Sequence, residues 1–237
     1  MSYYFLRLSS DPEVIGVRNG IQQVEICKEC FRDKRMYDEI LDYFCNRDAE
    51  KSIAFGALEH FELQCVKPLV GAVLTEFLSY GPCLPDCPFM IGAGAYNCFL
   101  EAGVKNCSYI NARVVSEGRG LDYKLFYFPP FDYSVIDFQS SVFFTGNRLS
   151  GKTYHKFDSF QHFDDARAKS SLIYRSESVV LNSNFDLDLK LFELKFGTMI
   201  ASRQLVDELR GRNCSGIDFI PLQVEVVAGN RLKIVFE

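Results

Sequence analysis

No apolar run in this 237-residue chain approaches the roughly 20 residues that a membrane-spanning helix needs, so no transmembrane segment is expected. Its start, MSYYFLRLSSDPEV, lacks the basic-then-apolar layout of a signal peptide, and the chain is expected to stay in the cytoplasm. Histidine is scarce: His60, His155 and His162 are too few and too scattered to organise a metal site. No Lys/Arg cluster interrupts a net charge of -5 and a pI near 5.4, so the mean field repels phosphate backbones and excludes nucleic acid from the expected partners. The same field attracts a basic partner and speeds its encounter. The nucleophile elbow G-x-S-x-G is absent, and no cysteine sits at a recognisable nucleophile turn.

Low-complexity segments and linkers rich in Gly, Ser or Pro are missing too. A single domain over residues 1–237 is therefore expected, with an N-terminal portion spanning residues 1–68 and a duplicated portion spanning residues 69–237. Hydrophobic residues at 48% and charged residues at 24% suit a globular core and argue against long disorder. Nine cysteines, an odd number without a secretory leader, point to reduced thiols rather than a disulfide framework.

What the chain does contain is a repetition. FMIGAGAYNCFLEAGVKNCSYINARV, from Phe89, and TMIASRQLVDELRGRNCSGIDFIPLQV, from Thr198, align by eye on Met90-Ile91 and Met199-Ile200. In each, an apolar entry leads into helical spacing, with Tyr96, Phe99 and Leu100 in one copy and Leu205, Val206 and Leu209 in the other. Gly103 and Gly211 fall where a left-handed residue closes a helix, and Ser202 is placed to cap the second one. Strands are predicted next, over 108–115 and 217–227.

Elsewhere, 2–8 reads as a strand, 33–44 as a helix whose stripe is Met36, Ile40, Leu41 and Phe44, and 60–66 as a strand burying Phe61, Leu63 and Cys65. A further strand is expected over 121–128, closed by Pro129-Pro130, and one long or two short strands over 135–144. From 146 to 169 apolar periodicity fades, which predicts a long loop or a frayed helix. The end of the chain reads as a hairpin, 222–227 with 231–236, around Gly229-Asn230. These pieces predict an α+β fold of mostly antiparallel strands with a few short helices, containing a duplicated strand-helix-strand unit.

Three motifs bear on chemistry. Gly146-Asn147-Arg148-Leu149-Ser150-Gly151-Lys152-Thr153 satisfies G-x-x-x-x-G-K-[ST], in which backbone amides cradle phosphates, the lysine reaches them and the threonine binds magnesium. The following YHKFDSFQHF is a poor start for the required helix, and the strand at 178–181 ends in Asn182 rather than an acidic metal ligand. Cys27 and Cys30, with Cys83 and Cys87, have spacings that four zinc thiolates would accept, but neither pair is followed by the usual knuckle glycine. The pairs Asp164-Asp165 and Asp186/Asp188 offer carboxylates for acid–base work and equally well solvated faces. No catalytic, cofactor-binding or metal residue is assigned from these patterns.

The order of MIASRQLVDELRGRNCSGIDFIPL, with VIDFQSSVFF and MIGAGAYNCFL before it, resembles a family of bacterial immunity proteins from polymorphic toxin systems. The resemblance covers roughly residues 70 to 225 and rests on short, degenerate motifs. The chain departs from the family at Gly92, where a serine is expected, and in its cysteine content. The resemblance implies a cytoplasmic, non-enzymatic protein that binds and neutralises a cognate toxin, here expected to be basic, without a cofactor. The alternatives are a P-loop nucleotide-binding protein using residues 146–153 and a zinc-stabilised adaptor.

Overall fold

A computed structural model describes residues 2–18, 22–31, 33–45, 58, 61–129, 132–147, 151–194, 198–227 and 231–236. From the N-terminus the elements are β1 (Tyr3–Leu8), α1 (Pro12–Ile15), β2 (Val24–Glu25), α2 (Lys34–Cys45), β3 (Glu62–Pro68), β4 (Phe77–Leu78), β5 (Tyr80–Gly81), β6 (Met90–Ile91), α3 (Ala93–Glu101), β7 (Ser108–Ser116) and β8 (Arg119–Tyr127). There follow β9 (Val142–Asn147), β10 (Gly151–His155), α4 (Phe160–Ala168), β11 (Arg175–Leu181), β12 (Leu191–Leu194), β13 (Thr198–Ser202), α5 (Arg203–Gly211), β14 (Ile217–Val227) and β15 (Arg231–Val235). The fold is α+β, and its strand pairs are antiparallel except β2 with β5 and β3 with β7.

Two sheets result, with orders β10-β9-β11-β15-β14-β1-β13-β12 and β4-β6-β8-β7-β3-β2-β5. Apolar side chains on alternate positions give each sheet two covered faces. Ile40 and Phe44 of α2 pack on Leu63, Ile110 and Leu125 at one outer face. Phe163 of α4 packs on Phe143, Val179 and Ile234 at the other. Between the sheets lie α3 and α5, whose Ala95, Cys98, Phe99, Leu205, Val206 and Leu209 meet Phe126 from one sheet and Leu6 from the other. The layers therefore run helix, sheet, helix pair, sheet, helix.

The duplication is structural, and its register is simpler than the one read from matching letters. In each unit the helix connects two parallel strands separated by one antiparallel strand: β6-β8-β7 and β13-β1-β14. Met90, Leu125 and Ile110 stand in one row, as do Ile200, Phe5 and Ile220. Equivalent residues of the first strand, helix and last strand are thus a constant 110 apart: Met90 matches Ile200, not Met199, and the caps Gly92 and Ser202 match. Left-handed residues obey the same spacing, Gly103 with Asn213 and Asn106 with Gly216. Gly211, expected to be the left-handed terminator, instead lies in the last turn of α5. Asn213 takes that conformation at φ 54°, which asparagine tolerates through local hydrogen bonds. Both helices then close alike, Val104 N donating to Phe99 O and Cys214 N to Leu209 O, 2.9 and 3.0 Å.

The caps at the other ends differ in source. Ser202 Oγ accepts from Leu205 N, as expected, at 3.4 Å. Gly92 has no side chain to offer, and Glu76 replaces it: its Oε2 accepts from Ala95 N at 2.9 Å. A Cβ on Gly92 would stand 2.7 Å from that carboxylate, so the glycine makes room for the substitute cap. At the seam between the units, Phe77 N donates to Ser215 O at 3.0 Å, and Gly216, at φ +87°, leaves space where a Cβ would fall 2.2 Å from Phe77 O.

Other expectations need correction. Residues 3–8 do not group with the rest of the N-terminal portion, residues 1–68: β1 is the central strand of the second unit, whereas β2 and β3 join the first sheet. In β3 a register shift between Leu63 and Val66 hands the buried face from Cys65 to Val66. Residues 146–169 hold β10 and α4 rather than a long loop. Residues 133–135 form a single 3-10 turn, and only from Val142 does a strand begin. Val227 pairs with Arg231 across the terminal hairpin, whose Gly229-Asn230 turn, like His60, lies outside the described residues.

Candidate functional site

The glycine-lysine motif forms a β-hairpin, not a strand-loop-helix. Lys152 stands opposite Gly146 and Thr153 opposite Thr145, in a strand where a phosphate cradle requires a helix N-terminus. Lys152 Nζ lies 2.9 Å from Glu177 Oε1 and 4.4 Å over the Phe144 ring, while Tyr154 donates to the same carboxylate at 2.9 Å. Those two hydrogen bonds, the lysine's first, hold Glu177 below its ordinary range. Residues 148–150 lie outside the described set.

The remaining sequence candidates make local contacts. His155 Nε2 is 2.9 Å from Thr145 Oγ1, and its ring packs on Tyr174. His162 is exposed, 3.6 Å from Asp158. Asp164 faces Arg167 at 3.9 Å, Asp165 accepts from Gln161 at 2.8 Å, and Asp186 accepts from the backbone of Asp188 at 2.9 Å. Cys27 is half-buried beside a single helical turn, Cys83 exposed and Cys87 buried, and nothing is described of the Cys30 side chain. Among the described residues, no group of three His, Cys, Asp or Glu is placed to hold a metal ion.

Two surface features were not legible in any motif. The first is a crevice of about 380 Å³ beside the first turn of α3, lined by Glu62, Arg113, Asp122 and Lys124. There Lys124 Nζ donates to Asn111 Oδ1 at 2.9 Å and lies 4.0 and 4.6 Å from the rings of Tyr109 and Tyr96. Tyr96 donates to Tyr109, and that hydrogen bond, ahead of burial, pushes Tyr96 up to about 12. The second unit stacks a cation likewise, with Arg210 5.2 Å from both Tyr4 and Phe219. In each unit one cation covers an aromatic pair.

The second feature is an open groove of about 520 Å³ on the other sheet, bounded by Phe5, Ile220, Pro221, Leu222 and Phe236 on one side and Ile173, Tyr174 and Arg175 on the other. Ile173, 73% exposed, lines it, and its chain neighbour Leu172 is 54% exposed, so the two make an apolar ridge at its margin. These water-facing aliphatic side chains stand next to a half-buried apolar floor. The only hint in sequence was an apolar Leu-Ile-Tyr step after Ser170-Ser171.

A scan of protein-family models finds no match to the chain, and a search of curated proteins finds none either.

Proposed function

We propose that the chain is an immunity protein that binds a cognate bacterial toxin domain and neutralises it by occupancy, without catalysis, in the cytoplasm. The exposed Leu172-Ile173 ridge beside the open groove carries this reading, because it is an apolar surface that folding leaves in water. The motif resemblance supports it independently, and so does the assignment of the candidate reactive groups, Lys152, His155 and the aspartate pairs, to local contacts. A net charge of -5 favours a basic toxin by accelerating encounter, while buried apolar contacts slow release.

The test is genetic and physical together. Co-expression should protect cells from one toxin domain encoded beside this chain's gene, and the two proteins should co-purify, with an association rate that falls as salt rises. Failure to protect against any neighbouring toxin, or protection with no stable complex, would refute the proposal.

A further inference from the structure

Strand β14 changes partner along its length. Its first half, 217–222, pairs with β1, and its second half, 223–227, pairs with β15 on the opposite side. β15 ends at Val235, opposite Gln223, with β11 beyond it: Ser178 faces Val235, and Phe236 N donates to Glu177 O at 2.9 Å. Past that point no strand among the described residues lies between 217–222 of β14 and the start of β11. Neighbouring strands lie about 4.8 Å apart, so the place β15 vacates has the width of one extended chain. The 520 Å³ groove occupies that place.

We propose that this gap is a docking groove for an extended segment of a protein partner, apolar and carrying acidic residues, that continues the path of β15. The open side of β14 offers backbone groups for strand addition. The half-buried Phe5, Ile220, Leu222 and Phe236, with exposed Ile173, offer apolar contact to alternate side chains of the segment. Charge sets its composition: in a chain of net charge -5, the charged side chains lining the groove among the described residues are Arg7 and Arg175, and no described carboxylate lines it. Arg7 is held by Asp218 at 3.1 Å, which leaves Arg175 to select for an acidic residue. Pro221 removes one donor from this edge and so discourages indiscriminate pairing, which leaves side-chain chemistry to choose the segment. The inference rests on the partner-binding reading above, and the two fail separately, because the groove is tested without a toxin.

The probes are two synthetic octapeptides, valine alternating with glutamate and valine alternating with lysine, titrated against the full chain by fluorescence anisotropy. The glutamate peptide should bind, slow amide exchange at 217–222 and 173–176, and lose tenfold or more in affinity in Arg175→Glu and in Ile173→Asp. Both substitutions replace exposed side chains, so unchanged melting temperatures verify folding. The lysine peptide should bind only Arg175→Glu. Binding of neither peptide, or binding indifferent to both substitutions, would overturn the proposal. So would a dimer of the chain that Ile173→Asp dissociates, since a second copy would then be the occupant.

Discussion

Glu193, on β12, shows how one side chain ties stability to solution pH. Burial, and after it the charge of Asp86, raises its carboxyl from an ordinary 4.5 to about 7. Below the unfolded value both states hold the proton, and above it the native state alone keeps it, so stability is full in acid and declines as pH rises toward 7. A shift of this size corresponds to at most about 3.5 kcal/mol. Urea unfolding should therefore show the wild type losing stability between about pH 4.5 and 7 relative to Glu193→Gln, with the variant the more stable at pH 8. Parallel pH profiles for the two proteins would refute this assignment. Nothing in the sequence marks Glu193, because its burial is set by tertiary packing and its charged neighbour Asp86 lies more than a hundred positions away.

At the scale of an element, helix capping separates what sequence can reveal from what it cannot. Ser202 announces its role by type and position, whereas the cap of α3 comes from Glu76, on a different segment. Removing it in Glu76→Ala should cost about 1 kcal/mol, whereas Gly92→Ser alone should cost less, because the atom its Cβ meets at 2.7 Å is the far end of the flexible Glu76 side chain, which can move aside. Combined, the two substitutions should recover most of the loss, the serine hydroxyl replacing the carboxylate; thermal melts of the double-mutant cycle measure this, and additive losses would contradict it. The predicted helix at 33–44 and strand at 217–227 were legible because one face of each is regularly apolar in sequence. β10 was not, since four of its five residues are exposed, and α4 buries only Phe163. The repeat was visible but misaligned: the identical Asn-Cys-Ser and Met-Ile letters sit out of structural step, while Gly103 and Asn213 fill one left-handed position with different residues.

At the scale of the molecule, pairings distant in sequence decide both the fold and the surface. β1 crosses to the second unit to lie between β13 and β14, and the groove gathers side chains from residues near 5, 174, 221 and 236. Periodicity reports local burial and is silent on such assembly, which is why the fold class was readable and the candidate surface was not. The signs of charge also separate by scale, a net -5 acting on encounter at long range and the arginines of the groove acting on seating at contact distance. The claim that joins these levels is neutralisation by occupancy, and stoichiometry tests it most directly. Purified chain is titrated into a fixed amount of the toxin domain encoded beside it, at a concentration far above the Kd, while toxin activity is followed. Occupancy predicts a linear fall that ends sharply at a fixed stoichiometric ratio of chain to toxin. Silencing of excess toxin by a small fraction of the chain, progressing with time, would reveal turnover and contradict the account.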